Sequence, residues 1–347
     1  MEDGGDDGDG YDYSPPEDDF ILTGNDVHAK TAVRHYRYLS TMEIAFTMAL
    51  PKDMESRKQR IADGSMDIKF YIELRKNSPI IQIRMDVDNR VKDHRVRVMI
   101  PNLLAGKCSV SDNQFGSIRR PVVDEAMAVW EKEKWSERPD SIYPFLSYVH
   151  LGNREGLAVL TNSVREYEIV GKDFRTIAIT VFRSVGVLGK EKLSRRPGRP
   201  SGIKMETPDS QMIGKYSFEF AVTADCMHAP QRAKEYVTPL VTYNKMPYNA
   251  MKLNVPQIRT PYCYSLLKLD NPLITMSVLK KEENGDHLLL RCYNGTGETQ
   301  RGILETDYEN AGEVMLDETH LSAGNGSKEL TVEKNQIKTV LLKRNAG

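Results

Sequence analysis

Residues 41–50, TMEIAFTMAL, with MDIKFYIEL at 66–74, IIQIRMDV at 80–87 and RVRVMI at 95–100, decide the fold class. Met42, Ile44, Phe46, Met48 and Leu50 fall at every second position, which in an extended chain puts them on one face. Ile68, Phe70, Ile72 and Leu74 repeat the pattern, as do Ile81, Ile83, Met85 and Val87, and then Val96, Val98 and Ile100. The breaks Ala62-Asp63-Gly64-Ser65, Asn77-Ser78-Pro79 and Asp88-Asn89-Arg90 carry turn residues and are too short for a crossover helix. The four runs predict an antiparallel meander.

Upstream of them, MEDGGDDGDGYDYSPPEDDF at 1–20 is rich in Gly and Asp. Glu2, Asp3, Asp6, Asp7, Asp9 and Asp12 repel one another and have no apolar partner in the stretch, which predicts a loop. Downstream, residues 101–150 lose the period, with Pro121, Pro139 and Pro144 as interruptions, a short helix expected near Asp124–Glu133, and Trp130 and Trp135 inside. Strand signals return at Leu157–Leu160, Tyr167–Val170, Thr176–Phe182 and Tyr216–Val222, the last two separated by the basic loop GKEKLSRRPGRPSGIKMETPDSQMIG. Residues 227–262 show no period and read as surface wrapping or a link. A terminal block follows, with strands at Ile274–Leu279, His287–Tyr293 and Ile337–Leu342 and a hairpin signal at Asn284-Gly285-Asp286. The expectation is an all-β protein: an acidic loop at 1–20, a large antiparallel sandwich at 21–262 and a smaller one at 263–347.

Composition narrows the class further. No run approaches the eighteen or so apolar residues of a spanning helix, and no leader pattern is visible, so membrane association is not expected and the chain reads as cytoplasmic. Net charge of −1 gives no reason to expect nucleic acid. The four cysteines, Cys108, Cys226, Cys263 and Cys292, form no CxxC pair and read as reduced thiols. No nucleophile elbow, P-loop or HExxH occurs, and the seven histidines share no metal-ligand spacing. Three readings of the acidic loop stay open: a solvated loop, a calcium site, or the border of a sugar site with Tyr11 and Tyr13 supplying rings and hydroxyls. The basic loop, with Lys190, Lys192, Arg195, Arg196, Arg199 and Lys204, reads as solvated or as a contact for an anionic group or a neighbouring domain.

Several segments in order resemble the region after the catalytic domain of bacterial family 38 α-mannosidases and mannosylglycerate hydrolases. They are GGDDGDGYDYSPP at 4–16, QFGSIRRP at 114–121, YPF at 143–145, GLAVLTNSVREYEI at 156–169, TIAITVFRSVGVLGK at 176–190 and RPGRPSGIKMETPDSQMIGKYSFEF at 196–220. The C-terminal pieces SVLKKEENGDHLLLRCYNGTGE at 277–298 and NQIKTVLLK at 335–343 extend the likeness over nearly the whole chain.

The resemblance implies a galactose-mutarotase-like supersandwich followed by a small sandwich. It implies retaining glycosidases in which a zinc, held by His and Asp ligands of an upstream catalytic domain, grips the sugar hydroxyls. This chain matches none of those upstream motifs, so it is expected to bind no cofactor itself and to be inactive alone. Its expected partners are the N-terminal catalytic domain and a mannoside, and homo-oligomerisation is left open. Because Met1 stands only a few residues before a family loop, the chain reads as half of a split or truncated enzyme. The resemblance places Tyr11 beside bound sugar, and Tyr13 on the same face if the chain is extended there. The alternatives are a stand-alone carbohydrate-binding or scaffold protein, using Trp130 and Trp135 as a platform, and a nucleic-acid-binding loop at 190–204.

Overall fold

The computed structural model describes residues 1–152, 154–200, 202–242 and 261–344. The chain forms two compact units, Met1–Asp112 with Ile118–Val237, and Asn113–Ser117 with Thr238–Gly347.

The strands of the first unit are β1 (Glu2–Gly5), β2 (Leu22–Thr23), β3 (Lys30–His35), β4 (Leu39–Leu50), β5 (Gly64–Arg75), β6 (Ile80–Asn89), β7 (His94–Pro101), β8 (Cys108–Asn113), β9 (Gly116–Pro121), β10 (Ile142–Pro144), β11 (Tyr148–His150), β12 (Ala158–Thr161), β13 (Glu166–Val170), β14 (Thr176–Ser184) and β15 (Gly214–Thr223). Nine of them form a sheet in the order β3-β4-β5-β6-β15-β12-β11-β8-β9, and six form another in the order β10-β13-β14-β7-β1-β2. Met48, Met66, Met85 and Val87 of the first sheet share one buried cluster with Val96, Tyr167, Ile177 and Ile179 of the second. That is a sandwich core drawn from alternating positions.

The structure corrects the meander at its fourth strand. β4, β5 and β6 pair antiparallel in sequence, but β7 belongs to the other sheet, between β14 and β1. Asn89 turns this corner: its side chain accepts from Val91 N at 3.2 Å and donates to Met212 O at 2.9 Å, while Val91 is buried. The acidic N-terminal stretch is also corrected. β1 is a strand paired with β7 and β2, and Asp3, Asp6 and Asp9 are almost wholly buried. Their charges are compensated by partners far along the chain. Asp3 takes Arg57 on one oxygen and His94 Nδ1, at 2.6 Å, on the other.

Between β9 and β10 the expected helix is one 3-10 turn, Glu125–Ala128, capped by Asp124. Trp130 is half-buried and Trp135 exposed, and neither belongs to a core cluster. Two short helices flank the sheets, α1 (Met54–Lys58) and α2 (Ala229–Val237). In α2, within the stretch read as aperiodic, Ala229 and Ala233 lie one turn apart and pack on Tyr148, Ala158 and Leu160. The remainder of that stretch, 243–260, lies outside the described residues.

The second unit contains β16 (Leu267–Leu269), β17 (Ile274–Lys281), β18 (Leu288–Asn294), β19 (Gln300–Thr306), β20 (Tyr308–Val314), β21 (His320–Ala323), β22 (Glu329–Val332) and β23 (Ile337–Arg344). They form sheets β16-β19-β22 and β17-β18-β23-β20-β21 around a core of Ile274, Leu290, Leu304, Leu330, Val340 and Leu342. The Asn284-Gly285-Asp286 segment joins the antiparallel pair β17 and β18, as its turn chemistry predicts. No helix among the described residues is long and apolar enough to cross a membrane.

Candidate functional site

Residues 6–16 leave β1 and fold back over the outer face of the six-stranded sheet. Asp9 shapes the loop: its Oδ1 accepts the N–H groups of Tyr11 and Asp12, both at 2.9 Å, which reverses the chain as Asx turns do. Asp6 Oδ1 accepts Gly8 N at 3.0 Å, and Asp7 N donates to Ser14 O at 2.8 Å. The fold is so tight at Gly8 that a Cβ there would stand 2.1 Å from Asp12 O.

Arg183, at the end of β14, holds this loop from below. Its Nε donates to Asp6 Oδ2 at 2.7 Å, and its Nη2 reaches the carbonyls of Asp9 at 2.9 Å and Asp12 at 2.8 Å. Burial pushes the Asp6 carboxyl above the usual carboxylate range, and Arg183 pulls against that shift. From the other side comes the basic loop. Lys190 N donates to Asp9 Oδ2 at 3.0 Å, Lys190 Nζ to Asp7 O at 3.0 Å, and Ser194 N to Ser14 Oγ at 3.1 Å. Arg195 lies 3.3 Å from Asp12, which also pairs with Arg196.

The two loops therefore neutralise each other in part: Asp6, Asp7 and Asp12 pair with Arg183, Lys190, Arg195 and Arg196, while Lys192, Arg199 and Lys204 stay exposed as the solvated reading of the basic loop expects. The acidic side chains are taken up by arginines, a lysine and backbone N–H groups. Among the described residues no three His, Cys, Asp or Glu are placed to hold a metal.

Tyr11 and Tyr13 both line a cleft of about 580 Å³ between this loop and strands β13 and β14. Tyr11 lies within the turn that Asp9 closes, where the chain is bent and not extended. Tyr11 stands at the rim, 57 % exposed, with its ring against Gly202. Tyr13 lies inside, its ring 3.6 Å from the Arg95 guanidinium carbon, and burial pushes its hydroxyl up to about 12. Arg183 and Arg95 are the residues that sequence reasoning missed. Their signal was a charge in an apolar strand: Arg183 closes TIAITVFR, and Arg95 and Arg97 alternate with Val96 and Val98.

The class that fold and loop define is an all-β protein of sandwich units, with an aromatic-bearing loop locked by charge over one sheet. Comparison with known proteins makes the assignment specific. Residues 2–187 match the glycosyl hydrolases family 38 C-terminal domain, and residues 273–340 match that family's C-terminal beta sandwich domain. The chain belongs to glycosyl hydrolase family 38, as its C-terminal region. A Halalkalibacterium halodurans protein named as a mannosylglycerate hydrolase is 23 % identical over 98 % of this chain, which spans 37 % of that relative's length. Two solved Enterococcus faecalis structures, a family 38 glycosyl hydrolase protein and an alpha-mannosidase, share the fold with TM-scores of 0.77 and 0.78. They are 19 % and 20 % identical, covering 99 % of this chain and 40 % and 38 % of theirs.

Proposed function

We propose that this chain is the non-catalytic β-sandwich portion of a zinc-dependent retaining α-mannosidase of family 38, packing on the catalytic domain and bordering its sugar cleft. The observation that carries the reading is the rigid presentation of Tyr11. A loop fixed at Asp6, Asp9 and Asp12 by Arg183 and the basic loop holds one aromatic ring at the mouth of a cleft. A phenol so held can hydrogen-bond a sugar hydroxyl and offer its face to the C–H side of a pyranose.

Retaining glycosidases use two carboxyl groups about 5–5.5 Å apart, one as nucleophile and one as acid and base. The buried loop carboxylates cannot serve, since each is held by cations or N–H donors. The chain's part is positioning, and the nucleophile and zinc belong to the catalytic domain, where the metal would grip the sugar hydroxyls.

Packing on another domain is supported by the far end of the nine-stranded sheet. There Val33 and Leu74 are 55 % and 44 % exposed beside half-buried Met42, Ile44 and Ile72. A second reading, a stand-alone carbohydrate-binding protein, is favoured only by the 46 % exposure of Trp135.

The test is an aryl α-mannoside assay with zinc, on this chain alone and then mixed with the candidate catalytic portion. Turnover only on mixing supports the proposal. Turnover by this chain alone overturns it, and binding on a glycan array without any activity on mixing favours the second reading. In the active mixture, Tyr11→Phe is expected to lower kcat/KM by about tenfold, the size of one hydrogen bond made in the transition state.

A further inference from the structure

A shallow cleft of about 1060 Å³ crosses strands β3, β4, β5, β6 and β15 of the nine-stranded sheet. Ile68 and Val87 turn into the core, so by alternation their neighbours Asp67, Lys69, Asp86 and Asp88 face outwards into this cleft. Two rows of side chains run across the strands. One is Lys30, Ala45, Lys69, Asp86 and Ser217, and the next is Thr47, Asp67, Asp88 and Lys215. Ala45, Thr47 and Ser217 are short and make the floor, while Lys30 and Lys215 stand at the two ends.

Asp67 lies directly opposite Asp88, a pairing of like charges that weakens a ladder. Arg90 bridges them, its Nη2 donating to Asp67 at 2.6 Å and to Asp88 at 2.7 Å. Asp67 gives its other oxygen to the Thr47 hydroxyl at 2.6 Å. Asp86 Oδ1 accepts Ser217 Oγ at 2.7 Å, with Arg84 Nε 3.4 Å away. That leaves Asp86 Oδ2 and Asp88 Oδ1 without a hydrogen bond among the described residues, and the exposed Lys30 and Lys215 without an ion pair among them. Three ammonium groups, Lys30, Lys69 and Lys215, balance the three carboxylates of the lining. A lining without net charge favours neither a polyanion nor a metal cation. Idle acceptors beside idle donors suit hydroxyl groups, each of which gives one hydrogen and accepts others. Five strands about 4.8 Å apart span roughly 19 Å, room for several linked sugar rings.

We propose that this face binds a neutral oligosaccharide, with Asp86 and Asp88 accepting its hydroxyls and Lys30 and Lys215 donating to them. The site is separate from the Tyr11 cleft, which lies against the other sheet, and it needs no catalytic domain.

The test uses the intact chain alone, titrated with mannotetraose, cellotetraose and maltotetraose and followed by ligand-observed NMR. Saturable binding of at least one is expected, unchanged by Tyr11→Ala and by Lys172→Ala on an exposed turn. Asp86→Ala and Lys215→Ala are each expected to weaken it by about tenfold or more, as loss of a charged hydrogen-bonding group does. Circular dichroism verifies the fold, and if Asp86→Ala does not fold, the exposed Lys215 decides alone. Absence of saturable binding by all three sugars overturns the proposal, and so does binding that Lys215→Ala leaves intact or that Tyr11→Ala abolishes. Because the readout is binding by this chain alone, a failure here is distinct from a failure of the activity test.

Discussion

Arg57 shows what single residues do in this protein. It rises from the five-residue helix α1, is 1 % exposed, and bonds Asp3 and the Phe20 carbonyl, with Asp19 3.5 Å away. Removing one partner of a buried ion pair strands the other, so Arg57→Ala is expected to cost about 3–5 kcal/mol in a urea unfolding experiment. A loss under about 1 kcal/mol would mean that His94 and the backbone compensate Asp3 without Arg57.

His150 makes a pH-dependent case. Its Nδ1 accepts Gly152 N–H at 3.1 Å, and burial, with Arg119 nearby, pushes the imidazole down to about 4. The unfolded chain therefore binds the extra proton between pH 4 and about 6.5, and stability rises with pH across that window. It is complete above pH 6.5 and lost as pH falls towards 4. His150→Gln is expected to flatten that slope, worth at most about 1.4 kcal/mol per pH unit. An unchanged slope would show that His150 titrates normally in the folded protein.

None of these pairings was legible in the sequence. The acids at 2–12 look like a repelling cluster because their partners, Arg57, His94, Arg183 and Arg196, lie many tens of residues away and meet them only through topology.

Among the elements, β4, β5 and β6 were legible because one face of each is buried and the period of two is unbroken. β1 was hidden because its inward position is Asp3, which reads as polar unless its cation is known. The basic loop at 190–199 is the element most dependent on such unseen pairing, since Lys190 and Ser194 attach it to Asp9 and Ser14 by backbone N–H groups. Asp9→Ala removes the acceptor for three N–H groups, each worth about 1–3 kcal/mol when left unmade. The variant is expected to release both loops, so that trypsin cuts at Lys192 or Arg195 at least several-fold faster than in the parent chain. Equal cleavage rates would mean that Arg183 alone suffices to hold the acidic loop, and that Tyr11 does not depend on the basic one for its position.

At the level of the whole molecule, the unusual feature is a sheet longer than the layer that covers it. Cross-strand pairing puts Val33, Met42, Ile72 and Ile83 in one row, with Leu74 and Ile81 in the next, on the same face as the buried Met48 and Met66. The period-two pattern foretold that this face would be apolar, but not that the cover would stop short, because a strand's sequence does not carry the length of the opposing sheet. The edge strand β3 meanwhile carries Lys30 and Arg34, charges that discourage edge-to-edge pairing without hiding the apolar row. A face that is apolar, half-covered and guarded at its edge suits a partner that lies flat upon it. If that partner is the catalytic domain, a monomeric sample of this chain should bind a hydrophobic dye. Val33→Asp with Leu74→Asp should reduce the dye signal by half or more while moving stability by only about 0.5 kcal/mol, as exposed positions allow. Addition of the catalytic portion should quench the signal of the parent chain and not that of the double variant. No dye binding by the monomer would remove the packing surface from the proposed function, leaving the charge-locked Tyr11 loop as its sole structural support.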